Sequence, residues 1–114
     1  MDQAQSEQHD PMTRLLLVDD HALVRDLVAA HLHVQGFAID CAASLAEARQ
    51  ALAAAVPYDL ILLDFALPDS TGLADSATLI GLARGKPVVL FSGLARPGTV
   101  VEALAAGFAG FIPK

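Results

Sequence analysis

The chain has 114 residues, 54% of them hydrophobic and 18% charged. That is enough for one domain with a real core, too few for two, and too apolar for a disordered chain. The formal net charge is −6, and half of it comes from Asp2, Glu7 and Asp10 in the first twelve residues.

With no basic stripe, the chain is not expected to contact nucleic acid itself. A single cysteine, Cys41, excludes an internal disulfide and fits a reducing, cytoplasmic setting. No stretch reaches membrane-spanning length, and MDQAQSEQHDPM has neither the basic start nor the apolar run of a signal peptide. Residues 1–12 are polar, contain Pro11 and read as a flexible tail.

From Arg14 onward the pattern alternates in type. RLLLV over 14–18 is a strand-length apolar run ending in Asp19 and Asp20. Residues 21–35 place Leu23, Leu27, Ala30 and Val34 on one helical face, and Gly36 stops the helix. FAIDCA over 37–42 reads as a second strand, with Cys41 expected in the core. Ser44 opens a capping box with Glu47, and Leu45, Ala48, Leu52 and Ala55 line the face of the helix that follows, up to Pro57. YDLILL over 58–63 is a third strand running into Asp64. The loop FALPDSTG follows, and then a helix over 73–84 interrupted by Gly81. PVVLF over 87–91 is a fourth strand, Pro97 suits the first turn of a helix over 98–106, and GFIP over 110–113 is a fifth strand.

Five short strands that are apolar throughout, alternating with four helices, predict a parallel sheet covered on both faces. The expected fold is α/β, a flavodoxin-like doubly wound sheet of order 2-1-3-4-5. Ligands of such sheets sit at the carboxyl ends of the strands, beside the switch point between strands 1 and 3. Asp19 and Asp20, Asp64, Ser92 and Lys114 all follow or end strands there. Singly, each has an ordinary explanation: a helix cap, a turn residue, loop chemistry, a solvated lysine. Those explanations give no reason for the five to converge. Three carboxylates from adjacent strands need compensating positive charge, which a hard dication with oxygen ligands supplies.

This constellation resembles the receiver domain of two-component response regulators. The likeness rests on Asp19–Asp20, on LILLDFALPDSTG with Asp64, Pro68 and Gly72, on LFSG with Ser92, and on FIPK ending at Lys114. The spacings agree too: 44 residues from Asp20 to Asp64, 28 on to Ser92, and 50 from Asp64 to Lys114. The stretches VDDHALVR and GFIPK resemble the subfamily whose receivers precede a helix-turn-helix DNA-binding domain.

The resemblance implies that Asp64 accepts a phosphoryl group from a histidine kinase, a phosphotransfer protein or a small acyl phosphate, with Mg²⁺ as cofactor. Asp20 and Asp64 would ligate the metal directly, Asp19 mainly through water, and Ala66 by its backbone carbonyl. Ser92 and Lys114 would contact phosphoryl oxygens, and Ser92 with Phe111 would form the switch. Ala22, Leu23 and Arg25 would face the partner kinase. For His21 a role as phosphate acceptor or metal ligand is weighed against that of a packed or solvated residue in the first turn of a helix, and the second is preferred; His31 and His33 read as helix surface.

The family continues into a fifth helix, whereas this chain stops at Lys114. Residues 13–114 are therefore read as a receiver truncated after strand 5, with apolar surface left open. Pairing of that face in a homodimer is the alternative to truncation. Two rival functions stand beside the signalling switch. A pseudo-receiver that only binds a partner usually lacks one of the key residues, and all five are here. A haloacid-dehalogenase-like phosphatase needs a D-x-D pattern after its first strand, and this chain has none. The expected role is a switch that takes part in its own phosphorylation, not an enzyme of turnover.

Overall fold

The computed structural model describes residues 13–54, 56–93 and 97–113. The tail over 1–12, Ala55 and Lys114 lie outside the described residues. Nine elements follow in order: β1 (Arg14–Val18), α1 (Ala22–Val34), β2 (Ala38–Ala42), α2 (Leu45–Ala53), β3 (Leu60–Asp64), α3 (Leu73–Leu82), β4 (Val88–Ser92), α4 (Pro97–Ala106) and β5 (Gly110–Pro113). The sheet order is β2-β1-β3-β4-β5, and every pairing is parallel. This is the expected 2-1-3-4-5 arrangement.

Strand limits follow local hydrogen bonding. β3 starts at Leu60, two residues later than expected, and the side chains of Tyr58 and Asp59 just before it tie this end of the sheet together. The Tyr58 hydroxyl donates to Asp40 Oδ2 at 2.7 Å, and Asp59 Oδ2 accepts the Arg14 N–H at 2.9 Å. Asp40 also pairs with the Arg14 guanidinium at 3.3 Å, which completes a polar cluster at the end of the sheet away from the strands' carboxyl ends. α1 stops where Gly36 takes φ 97°, a left-handed conformation that costs other residues free energy.

The two sheet faces differ. On one, Leu16, Val18, Ile61, Leu63, Val88 and Leu90 form a continuous core with Leu45, Ala48 and Leu52 of α2, Leu79 of α3 and Ala103 of α4. Each fully buried leucine there contributes about 2 kcal/mol of transfer free energy. On the other face lies α1, which has no buried residue. Beside it runs an apolar groove of about 380 Å³ lined by Leu17, Val24, Val28, Leu62, Phe91 and Ile112.

Two expectations are corrected here. The α1 face carrying Leu23, Leu27 and Val34 points to solvent, these residues being 70%, 63% and 83% exposed. The helix is apolar on more than one side, so periodicity alone does not select the face, and Val24 and Val28 turn toward the sheet. Cys41 is exposed rather than core. It pairs in register with Leu17 on the edge strand β2, on the thinly covered α1 side.

Candidate functional site

β1 and β3 are hydrogen-bonded neighbours, so their carboxyl ends carry Asp19, Asp20 and Asp64 to one place. The Asp19 N–H donates to the Ala42 carbonyl at 3.0 Å, which prolongs the ladder and delivers its side chain to the sheet edge. From α1, Arg25 Nη1 donates to the Asp19 carbonyl at 2.7 Å and pins the strand end to the helix. Asp19 and Asp64 are both completely buried, while Asp20 and His21 reach solvent.

Ligand atoms of Asp19, Asp20, His21 and Asp64 all lie within 4.8 Å of one another. Asp19 Oδ1 accepts the His21 N–H at 2.9 Å and lies 2.8 Å from His21 Nδ1. The same ring nitrogen is 3.3 Å from Asp20 Oδ1 and 3.8 Å from Asp64 Oδ2. His21 is the N-cap residue of α1, yet its side chain makes no cap bond and faces the acids instead. Asp64 Oδ1 accepts the Ala66 N–H at 3.0 Å, so the residue expected to offer its carbonyl is tied back to the acidic centre.

The donor set is dominated by hard carboxylate oxygens, two of the residues being wholly buried, and it suits a hard divalent cation. Ser92 ends β4 at the same sheet edge and is 3% exposed. Phe111 pairs with Leu90 in the β4–β5 register and packs, half-buried, against the main core. Ala22 and Leu23 are exposed at the start of α1, but Arg25 is half-buried and holds Asp19. Lys114 lies outside the described residues.

The loop after β3 is shaped by Gly72, whose φ of 151° falls in territory closed to other residues, and by Leu67, which is buried in the core. Two side chains do more than their sequence context suggests. His21, expected to be packed or solvated, turns its ring onto Asp19 and Asp20, and its place beside two acids is the sequence signal for that. Asp69 of the FALPDSTG loop lies outside the acidic cluster and caps α2 from across the loop, with Oδ1 and Oδ2 accepting the N–H groups of Leu45 and Ala46 at 2.9 and 3.0 Å.

Comparison with known proteins agrees with this arrangement. A family model described as the response regulator receiver domain matches residues 15–114. A protein-glutamate methylesterase/protein-glutamine glutaminase of Rhodospirillum rubrum is 39% identical over 106 residues, which cover 90% of this chain and 28% of that protein. The transcriptional regulatory protein KdpE of Mycobacterium tuberculosis is 32% identical over 106 residues, covering 90% of this chain and 45% of its own length. The chain thus spans less than half of either relative. Among solved structures, a receiver domain protein from Methanospirillum hungatei superposes with a TM-score of 0.82 at 27% identity, over 91% of this chain and 82% of that one. A response regulator from Burkholderia pseudomallei, solved with a phosphorylated aspartic acid and a calcium ion, gives 0.80 at 25% identity, over 90% and 59%. The chain belongs to the receiver domain family of two-component response regulators.

Proposed function

We propose that Asp64 is the phosphoacceptor of this receiver and that Mg²⁺ is its cofactor. One observation carries the reading: Asp64 is fully buried at the end of β3, and its carboxylate shares a 4.8 Å cluster with Asp19, Asp20 and His21. An Asp64 oxygen attacks the phosphorus of a phosphohistidine on a kinase or phosphotransfer protein, or of a small acyl phosphate. A new P–O bond forms, and the donor's P–N or P–O bond breaks with its electron pair leaving on the imidazole or carboxylate. Asp20, Asp64 and the Ala66 carbonyl would hold the cation, with Asp19 acting through water. When bound, that cation neutralises charge on the transferring phosphoryl group.

The chain's own residues do the rest. Arg25 fixes the Asp19 backbone, the Ala66 N–H orients Asp64, and Ser92 stands at the same sheet edge to donate its hydroxyl to a phosphoryl oxygen. Lys114 pairs with another phosphoryl oxygen, and Phe111 on β5 transmits the change. The stretches VDDHALVR and GFIPK support a helix-turn-helix DNA-binding effector in the whole protein. The test is beryllofluoride, a phosphoryl mimic, added with Mg²⁺ and followed by ¹⁹F NMR. A bound resonance in the native chain that is missing in Asp64→Asn supports the reading. A chain that is folded and binds no beryllofluoride points to a pseudo-receiver.

A further inference from the structure

The loop over 65–72 has one anchor that the phosphoryl chemistry does not use. Asp69 reaches away from the acidic site and accepts the N–H groups of Leu45 and Ala46, 24 and 23 residues away in sequence. The first N–H groups of a helix have no partner within it. α2 already has a local cap, since Ser44 Oγ accepts the Glu47 N–H at 3.1 Å. Asp69 is therefore a second cap, supplied by the loop. Burial alone would raise the Asp69 pKa, but the two N–H groups, with Arg49 nearby, hold the carboxyl below its ordinary range.

The cap closes a short mechanical path to the site. The Ser70 N–H donates to the Leu67 carbonyl at 3.1 Å, so residues 67–70 form a turn, and the Leu67 side chain is buried in the core. Ala66 lies between that turn and Asp64, to which its N–H is bonded. We propose that Asp69 is a positioning residue, which clamps the turn onto α2 and so holds the Ala66 backbone in place at the acidic site. This rests on the reading that the Ala66 carbonyl serves the cation.

The test compares Mg²⁺ affinity by calorimetry in the native chain, Asp69→Ala, Asp69→Asn and Ser44→Ala. Groups that orient metal ligands are worth about tenfold or more in affinity, so Asp69→Ala is expected to bind about tenfold more weakly. Asp69→Asn offers one acceptor oxygen where two are used, and should fall between. Ser44→Ala removes the other cap of the same helix and destabilises it, but should bind Mg²⁺ like the native chain. Should Asp69→Ala not fold, Asp69→Asn against Ser44→Ala makes the same comparison.

Native affinity in the Asp69 variants, or an equal loss in Ser44→Ala, overturns the proposal. If the native chain takes up no Mg²⁺, the metal reading fails separately, and hydrogen exchange of the Ala66 amide decides the clamp. Faster exchange in the Asp69 variants than in Ser44→Ala upholds it; equal exchange overturns it.

Discussion

Asp19 Oδ1 is held twice by His21, accepting its backbone N–H at 2.9 Å and facing its ring Nδ1 at 2.8 Å. One residue thus sets both the orientation of a buried carboxylate and the polar surroundings of the strand end. Because the ring nitrogen also stands 3.3 Å from Asp20 Oδ1, anything that engages these carboxylates must disturb His21.

That contact predicts a spectroscopic signature. Titrating the chain with Mg²⁺ should shift the ring resonances of His21 and leave those of His31 and His33, on α1 well along from the acids, in place. Proton–carbon correlation spectra of the imidazoles make the measurement. Equal movement of all three would separate His21 from the metal seat.

Cation binding should also stabilise the fold, because the unfolded chain does not hold the three carboxylates together. At tenfold excess over its dissociation constant, a ligand specific to the native state adds about 1.4 kcal/mol. The thermal midpoint is expected to rise with Mg²⁺ in the native chain and to stay put in Asp20→Asn. The same rise in both would mean that the ion binds elsewhere.

At the far end of the sheet, burial and then the hydrogen bond to Asp40 push the Tyr58 phenol up to about 12. Tyr58 is the chain's single tyrosine, so phenolate absorbance reads it alone. A group whose folded pKa is raised stabilises the fold fully below its unfolded value, about 10 for tyrosine. That contribution is lost as pH rises from there through about 12. Asp40→Asn should lower the midpoint while leaving it above the ordinary value, since burial is the larger cause. A midpoint at the ordinary value in the native chain would contradict the buried, bonded phenol.

Much of this architecture was legible in the residues. The strands are short and mostly apolar runs, and Gly36 and Ser44 mark helix ends by backbone and cap chemistry that is local. The meeting of Asp19, Asp20 and Asp64 follows from strand order, because order alone sets which strand ends are neighbours. What escaped depends on side-chain direction or on long-range partners. Whether Leu23 or Val24 of α1 faces the sheet is undecided by spacing when both sides are apolar. Cys41 is exposed because β2 is an edge strand, a property of topology and not of FAIDCA itself. Arg25 bonds a carbonyl and Asp69 caps a helix more than twenty residues away, and neither contact has a local sequence signal.

The proposed phosphoacceptor is Asp64. The most direct measurement is the intact mass of the chain after incubation with Mg²⁺ and a small acyl phosphate, beside an Asp64→Asn control. One added phosphoryl group is expected on the native chain and none on the variant. A phosphoryl group on Asp64→Asn, or none on a native chain shown to be folded and to bind Mg²⁺, would contradict it.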